Sequence, residues 1–277
     1  MDGWCGGIDD FDEACLMPYA SDLVRLAASA VICAEDFNLA VGLKNICDVV
    51  LEGYTEGLKS GGEPFVIEEN HKWLRSLALK HLDEPGRFWK KLDALPAVKK
   101  RIPSGAQRAL ESMLPQPLTN YHVARRTAGT GSMGHPRYVA IADWNGGRVA
   151  LEAKAALPSS YTWAAGVEGW ILYDKILERA ARSPDPAVRM EGSWLVRRLA
   201  PDSSPIEIES LTRHMEKDRL LNAMGAEAAN IHLGSSNAAN RLLGDLKKRR
   251  GSWLQKAVRD MLKAVTGDWK HWKEARR

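Results

Sequence analysis

The stretch VARRTAGTGSMGHPRYVAIADWNGGRVALEAKA, residues 123–155, decides the fold class of this chain. Val123 to Thr127, Arg137 to Trp144 and Arg148 to Ala155 alternate as strands do. Asn145-Gly146-Gly147 between the last two is a hairpin turn, because its residues tolerate positive φ. The first two strands are joined by Gly129-Thr-Gly-Ser-Met-Gly134. A GxGxxG between strand and helix would be a dinucleotide turn; between two strands it suits a glycine-rich hairpin over phosphates. A glycine-rich turn with no ligand is the plain alternative. Alternation places Val149, Leu151 and Ala153 on one face and Ala150, Glu152 and Lys154 on the other. Lys154, flanked by Ala153, Ala155 and Ala156, is poorly explained as solvent decoration, although an edge lysine remains the alternative. It could reach phosphates, held by a carboxylate of the following helix: Glu168, or Glu178 as second choice.

On either side of this stretch the pattern is helical. Ser21 to Glu35 has apolar residues at Leu23, Leu26, Ala27, Ala30 and Val31. Asp36 can cap the next helix, which runs through Leu39, Leu43, Ile46, Val50, Tyr54 and Leu58 to Gly61-Gly62. Shorter helices are expected over Glu68 to Leu82, Pro85 to Leu95 and Ser104 to Leu114. Pro115 and Pro117 make the best boundary in the chain. After the strands come a helix from about Tyr161 to Arg182, a short apolar stretch Ser193 to Leu199, and helices from Ile206 onward, including Arg213 to Leu233. The expected organisation is a helical lobe at 1–117, a small sheet lobe at 118–201 and a helical segment at 202–277 that completes the helical lobe.

The chain has 277 residues, 45% hydrophobic and 27% charged, with a net charge of +4. That is a globular balance, and the excess of positive charge is too mild to argue for nucleic acid. The longest apolar run, Leu23 to Ala34, is interrupted by Arg25 and too short for a bilayer. The start, Met-Asp-Gly-Trp, has no signal-peptide pattern, so a cytoplasmic protein is expected. Cys5, Cys15, Cys33 and Cys47 have no CxxC spacing and read as reduced, mostly buried thiols. The seven histidines show no ligand spacing, and the ten tryptophans read as core and interface residues. The tail, with Lys247-Lys-Arg-Arg250, Trp253, Trp269 and Trp272, is a solvated amphipathic helix before it is a nucleic-acid site.

Two acidic features complete the set. Asp9-Asp-Phe-Asp-Glu13 puts four carboxylates in five residues, which repel unless a cation or basic partner neutralises them. Magnesium accepts one or two such carboxylates with phosphate oxygens. A solvated acidic turn is the alternative. Asp22 is either a functional acid or a helix N-terminal acid favoured by the dipole.

In their shared order these segments resemble the bacterial family of domain of unknown function 2252. The quoted elements are Ile8-Asp-Asp-Phe-Asp-Glu13, Asp22-Leu-Val-Arg-Leu-Ala-Ala-Ser29, Val123-Ala-Arg-Arg126, the glycine segment, Arg137-Tyr-Val139, Lys154-Ala155, Leu195-Val-Arg-Arg-Leu-Ala-Pro201 and Ala229-Asn-Ile-His-Leu-Gly234. The family is in turn similar to kinase-like aminoglycoside phosphotransferases, with the parts in a circularly permuted order. The resemblance implies an α+β, protein-kinase-like fold with a small antiparallel sheet and a larger helical lobe. It implies ATP under Gly129, Gly131, Ser132 and Gly134, paired by Lys154, with Glu168 positioning that lysine and Leu195 to Pro201 as hinge. Asp10 and Asp12 would hold Mg²⁺, and Asp22 would brace the catalytic loop. The family's Gly-Asp-x-His-x-x-Asn segment would stand upstream of Met1. A fragment, or a chain that has lost catalysis, is therefore expected, with phosphoryl transfer absent or very weak. The expected partners are a nucleotide and an unknown acceptor, with no membrane. A non-catalytic interaction module, for an anionic partner or a protein, is the alternative.

Overall fold

The computed structural model describes residues 11–67, 69, 71–80, 82, 84–118, 120–128, 135–202, 211 and 213–276. Its helical part is built from five long helices. The first, α1 (Ala20–Asp36), buries Leu23, Ala27, Ala30, Val31 and Ala34, one face at helical spacing. The second, α2 (Leu43–Ser60), buries Ile46, Val50, Tyr54 and Leu58 and ends where Gly61 turns left-handed at φ 82°. Asp36 does not cap it. That residue closes α1, and the N-cap of α2 is Gly42.

Three later helices complete this core: α8 (His214–His232), α9 (Ala238–Lys248) and α10 (Trp253–Ala275). The α2–α8 contact is backbone to backbone. A methyl group on Gly53 would run into the Asn222 carbonyl oxygen, and one on Gly225 into that of Val50. One on Gly57 would lie 2.9 Å from the Ala229 Cβ. The short α3 (Lys72–Lys80) packs Leu74 and Leu77 with Phe65, Ile67, Leu211 and Leu220 at the start of α8.

Among the described residues the sheet has five antiparallel strands in the order β1-β2-β3-β5-β4. These are β1 (His122–Arg125), β2 (Arg137–Trp144), β3 (Gly147–Ala155), β4 (Val188–Glu191) and β5 (Trp194–Leu199). Asn145 and Gly146, at φ 48° and 82°, form the two-residue β2–β3 turn, and Trp144 pairs with Gly147 across it. One face of the sheet buries Ala140, Leu151, Ala153 and Val196 under Ala109 and Leu110 of α5 (Ser104–Glu111). The other buries Val139, Ile141 and Ala150 against Leu92 of α4 (Pro85–Asp93) at one end and carries charged residues at the other. Thus α4 and α5, which precede the proline break, lie on the sheet.

The helix expected over Tyr161 to Arg182 is two short ones, α6 (Ser160–Ala164) and α7 (Tyr173–Arg179). Gly166 interrupts it at φ 66°. Gly169 lets the returning chain press on Pro158, whose Cβ lies 2.6 Å from where a side chain would begin. Strand β4 was not expected; it pairs with β5 through the turn at Gly192, φ 59°. The fold is α+β with a small antiparallel sheet, as expected. Among the described residues no helix is long and apolar enough to cross a membrane.

Candidate functional site

The charged end of the sheet face begins on β3. Glu152 and Lys154 project to the same side, and both are buried. Lys154 Nζ is ion-paired with Asp12 Oδ2, and both side chains are almost fully enclosed. Asp12 is brought there by its neighbour. Phe11 enters an apolar pocket with Tyr173 and Leu195, and Ile231 of α8 packs on its rim. The Phe11 and Tyr173 rings meet edge to face, centroids 5.6 Å apart, and the Arg182 guanidinium lies 5.4 Å from the Phe11 centroid. The chain then turns at Glu13, φ 59°. The Glu13 carboxylate accepts a hydrogen bond from Ser160 Oγ at 3.1 Å and stands 3.6 Å from His135 Nε2. The acidic segment is thereby tied to the end of β3, to α6 and to the residue that follows the glycine segment.

Glu152 is fully buried and receives three arginines. Arg126 Nη1 is 2.7 Å from one carboxylate oxygen; Arg197 Nε at 3.0 Å and Arg137 Nη1 at 3.5 Å reach the other. The strand register explains this. Arg197 on β5 stands directly opposite Glu152, Arg137 on β2 stands opposite Lys154, and the Arg126 amide bonds to the Arg137 carbonyl. Burial alone would raise the Glu152 pKa, but the charges of Arg197, Arg126 and Arg137 outweigh it and hold the carboxyl below its ordinary range.

A third network lies in the helical part. Asp22, in the first turn of α1, is 3.1 Å from His232 Nε2 at the end of α8. His232 Nδ1 is 2.8 Å from the hydroxyl of Tyr54. Tyr54 is fully buried, and burial pushes its phenol far above the ordinary tyrosine value. Tyr19 stacks on it with centroids 6.0 Å apart. Burial, then the hydrogen bond to Asp245, raises the Tyr19 phenol to about 12.

Of the residues expected to act, the structure therefore brings Asp12 and Lys154 together. Glu168 is solvent-exposed in the loop between α6 and α7, and Glu178 is exposed on α7, whereas Asp12 pairs with the lysine. Asp10, Gly129, Gly131, Ser132 and Gly134 lie outside the described residues. Among the described residues no group of three or more His, Cys, Asp or Glu side chains could hold a metal ion. Cys47 is buried, whereas Cys15 and Cys33 are partly exposed, so the described thiols are not mostly buried as expected. The Glu152 cluster was missed. Its signal was available, since Arg137, Glu152 and Arg197 all occupy the strand positions that alternation turns to one side.

These features define an α+β protein with two buried ion-pair centres on one sheet face, one of them anchoring the acidic N-terminal segment. Residues 6–78, the span from that segment through most of α3, match a family model described as uncharacterized protein conserved in bacteria, DUF2252. No curated protein and no solved structure matches the chain.

Proposed function

We propose that this chain is a kinase-like, circularly permuted module that binds a magnesium nucleotide, derived from a phosphotransferase whose acceptor is unknown. The observation that carries the reading is the buried Asp12–Lys154 pair, which joins two candidate site residues far apart in sequence. The order of parts agrees with it: β1, the glycine segment, β2, Lys154 on β3, two helices, β5 and the long α8. In this reading Gly129, Gly131, Ser132 and Gly134 cover phosphates, and Lys154 pairs with them. Asp12 and Asp10 would hold Mg²⁺, which would neutralise phosphate charge. The Asp22–His232–Tyr54 chain would brace the catalytic-loop region. The test is calorimetric titration with ATP, with and without Mg²⁺, of the parent chain, Lys154→Ala and Asp12→Asn. Magnesium-dependent binding, lost in both variants, is expected. Binding retained in Lys154→Ala would refute the role of that lysine.

A second reading, a non-catalytic interaction module, has its own observation. The α6–α7 segment exposes Tyr161, Trp163, Val167 and Trp170, with Trp163 85% exposed. Such a patch suits a protein partner. Absence of any nucleotide heat from folded protein, together with stable capture of a partner lost in Trp163→Ser, would favour it.

A further inference from the structure

We infer that the last turns of α10 are a docking surface for an anionic lipid bilayer, on which the helix lies without crossing it. This surface is independent of the nucleotide reading. Leu254, Val258, Leu262, Val265, Trp269 and Trp272 recur every three or four residues and so form one stripe along the helix. The core covers only its first half: Leu254 and Val258 are buried, and Leu262 packs against the helical core. Beyond Leu262 no described residue of α10 is buried, although the helix runs on for about 20 Å at 1.5 Å per residue. Val265, Trp269 and Trp272 are 44%, 54% and 47% exposed.

The chemistry of the uncovered half selects its occupant. Lys273 Nζ lies 5.5 Å from the Trp269 centroid, and the Arg276 guanidinium 4.4 Å from that of Trp272. Cations therefore stand on the apolar stripe itself. Helical spacing puts Asp260 and Glu274 on the opposite side, with only Asp268 near the flank. A second copy of the chain laid on this stripe would bring like charges together. A nucleic-acid strand would need free ring faces for its bases. Trp269 and Trp272 instead stack on each other, centroids 4.9 Å apart and planes within 17°, and each already carries a cation. Tryptophan beside lysine and arginine on an amphipathic helix suits a headgroup layer, where the rings reach the acyl boundary and the cations meet lipid phosphates. Apolar run length, from which no membrane partner was expected, speaks only to crossing a bilayer.

The probe is vesicles of phosphatidylglycerol and phosphatidylcholine in equal parts, with vesicles of phosphatidylcholine alone beside them, at about 0.15 M salt. Co-flotation is followed against lipid concentration for the full chain, Trp269→Ser/Trp272→Ser and Lys273→Gln/Arg276→Gln. A Trp163→Ser/Trp170→Ser control tests the other exposed aromatic patch. The parent chain is expected to bind anionic vesicles about tenfold or more tightly than neutral ones, since each basic residue near the surface is worth about fivefold. Each α10 double variant should bind anionic vesicles about tenfold or more weakly than the parent, and the control should match it. All the substituted side chains are exposed, and thermal melts of each variant confirm that the compared samples are folded. No flotation of the parent chain, equal binding to both vesicle types, or α10 variants that bind as tightly as the parent overturns the inference. A dimer seen by light scattering, or an oligonucleotide complex, that Trp269→Ser/Trp272→Ser abolishes also overturns it, because the stripe then belongs to another occupant.

Discussion

Glu152 and Lys154 sit two residues apart on β3, and each is a buried charge with its partner supplied from elsewhere in the chain. A charge in such a place is costly unless it is paired. Replacing Glu152 with Gln leaves three guanidiniums facing a neutral amide. The expected cost is about 3 kcal/mol, read from urea unfolding at neutral pH. The pH dependence follows from the depressed folded-state carboxyl. Its stabilisation is complete above the unfolded-state pKa and is lost as pH falls through the lower, folded value. The parent chain should therefore lose stability over that acid interval more steeply than Glu152→Gln. Matching acid limbs in the two proteins would show that the cluster does not keep the carboxyl ionised. Lys154 was legible because a lysine among alanines on a strand is conspicuous. Its carboxylate was sought in the helix that follows, and it came instead from Asp12, on a segment 142 positions earlier. Local spacing carries no information about such a closure.

At the scale of elements, α2 and α8 depend on glycine for opposite reasons from those that govern α9. Gly225 lies where the Val50 carbonyl leaves no room for a side chain, whereas Gly244 in α9 has nothing within 4 Å of where its Cβ would stand. Gly225→Ala should cost about 1–3 kcal/mol through overpacking. Gly244→Ala should gain about 0.5–1 kcal/mol from reduced backbone freedom in the unfolded chain. Thermal unfolding of the two variants checks both signs, and a loss in each would mean that α9 is packed against a partner through Gly244. The strands of the central hairpin were legible to within a residue or two, because period-two patterning and Asn145-Gly146 act locally. The α6–α7 break was harder to read. Gly166 and Gly169 stand inside an otherwise helical pattern, and isolated glycines are often tolerated there. Four-residue β4 is an edge strand paired with β5, too short to carry a period of its own.

For the molecule as a whole, the Asp12–Lys154 pair and the Phe11 ring fasten the N-terminal segment to the sheet, while α1 and α2 belong to the helical core. Lys154→Met keeps the apolar stem but removes the cation that pairs with Asp12. Hydrogen exchange of amides in residues 11–19 should accelerate about tenfold or more, with little change in α2, as expected for local opening. Uniform acceleration across the chain would show instead that the pair supports global stability.

The glycine contact between α2 and α8 has a consequence for how the chain is made. Gly53 leaves the ribosome 225 − 53 = 172 residues before Gly225, and the whole sheet is translated between them. At about 5–20 residues per second the apolar side of α2 waits roughly 10–35 seconds for the helix that covers it. During that interval the nascent α1–α2 hairpin is a natural client for chaperones. Synonymous codon changes that slow translation of residues 61–213 should lower the soluble yield without altering the mature protein.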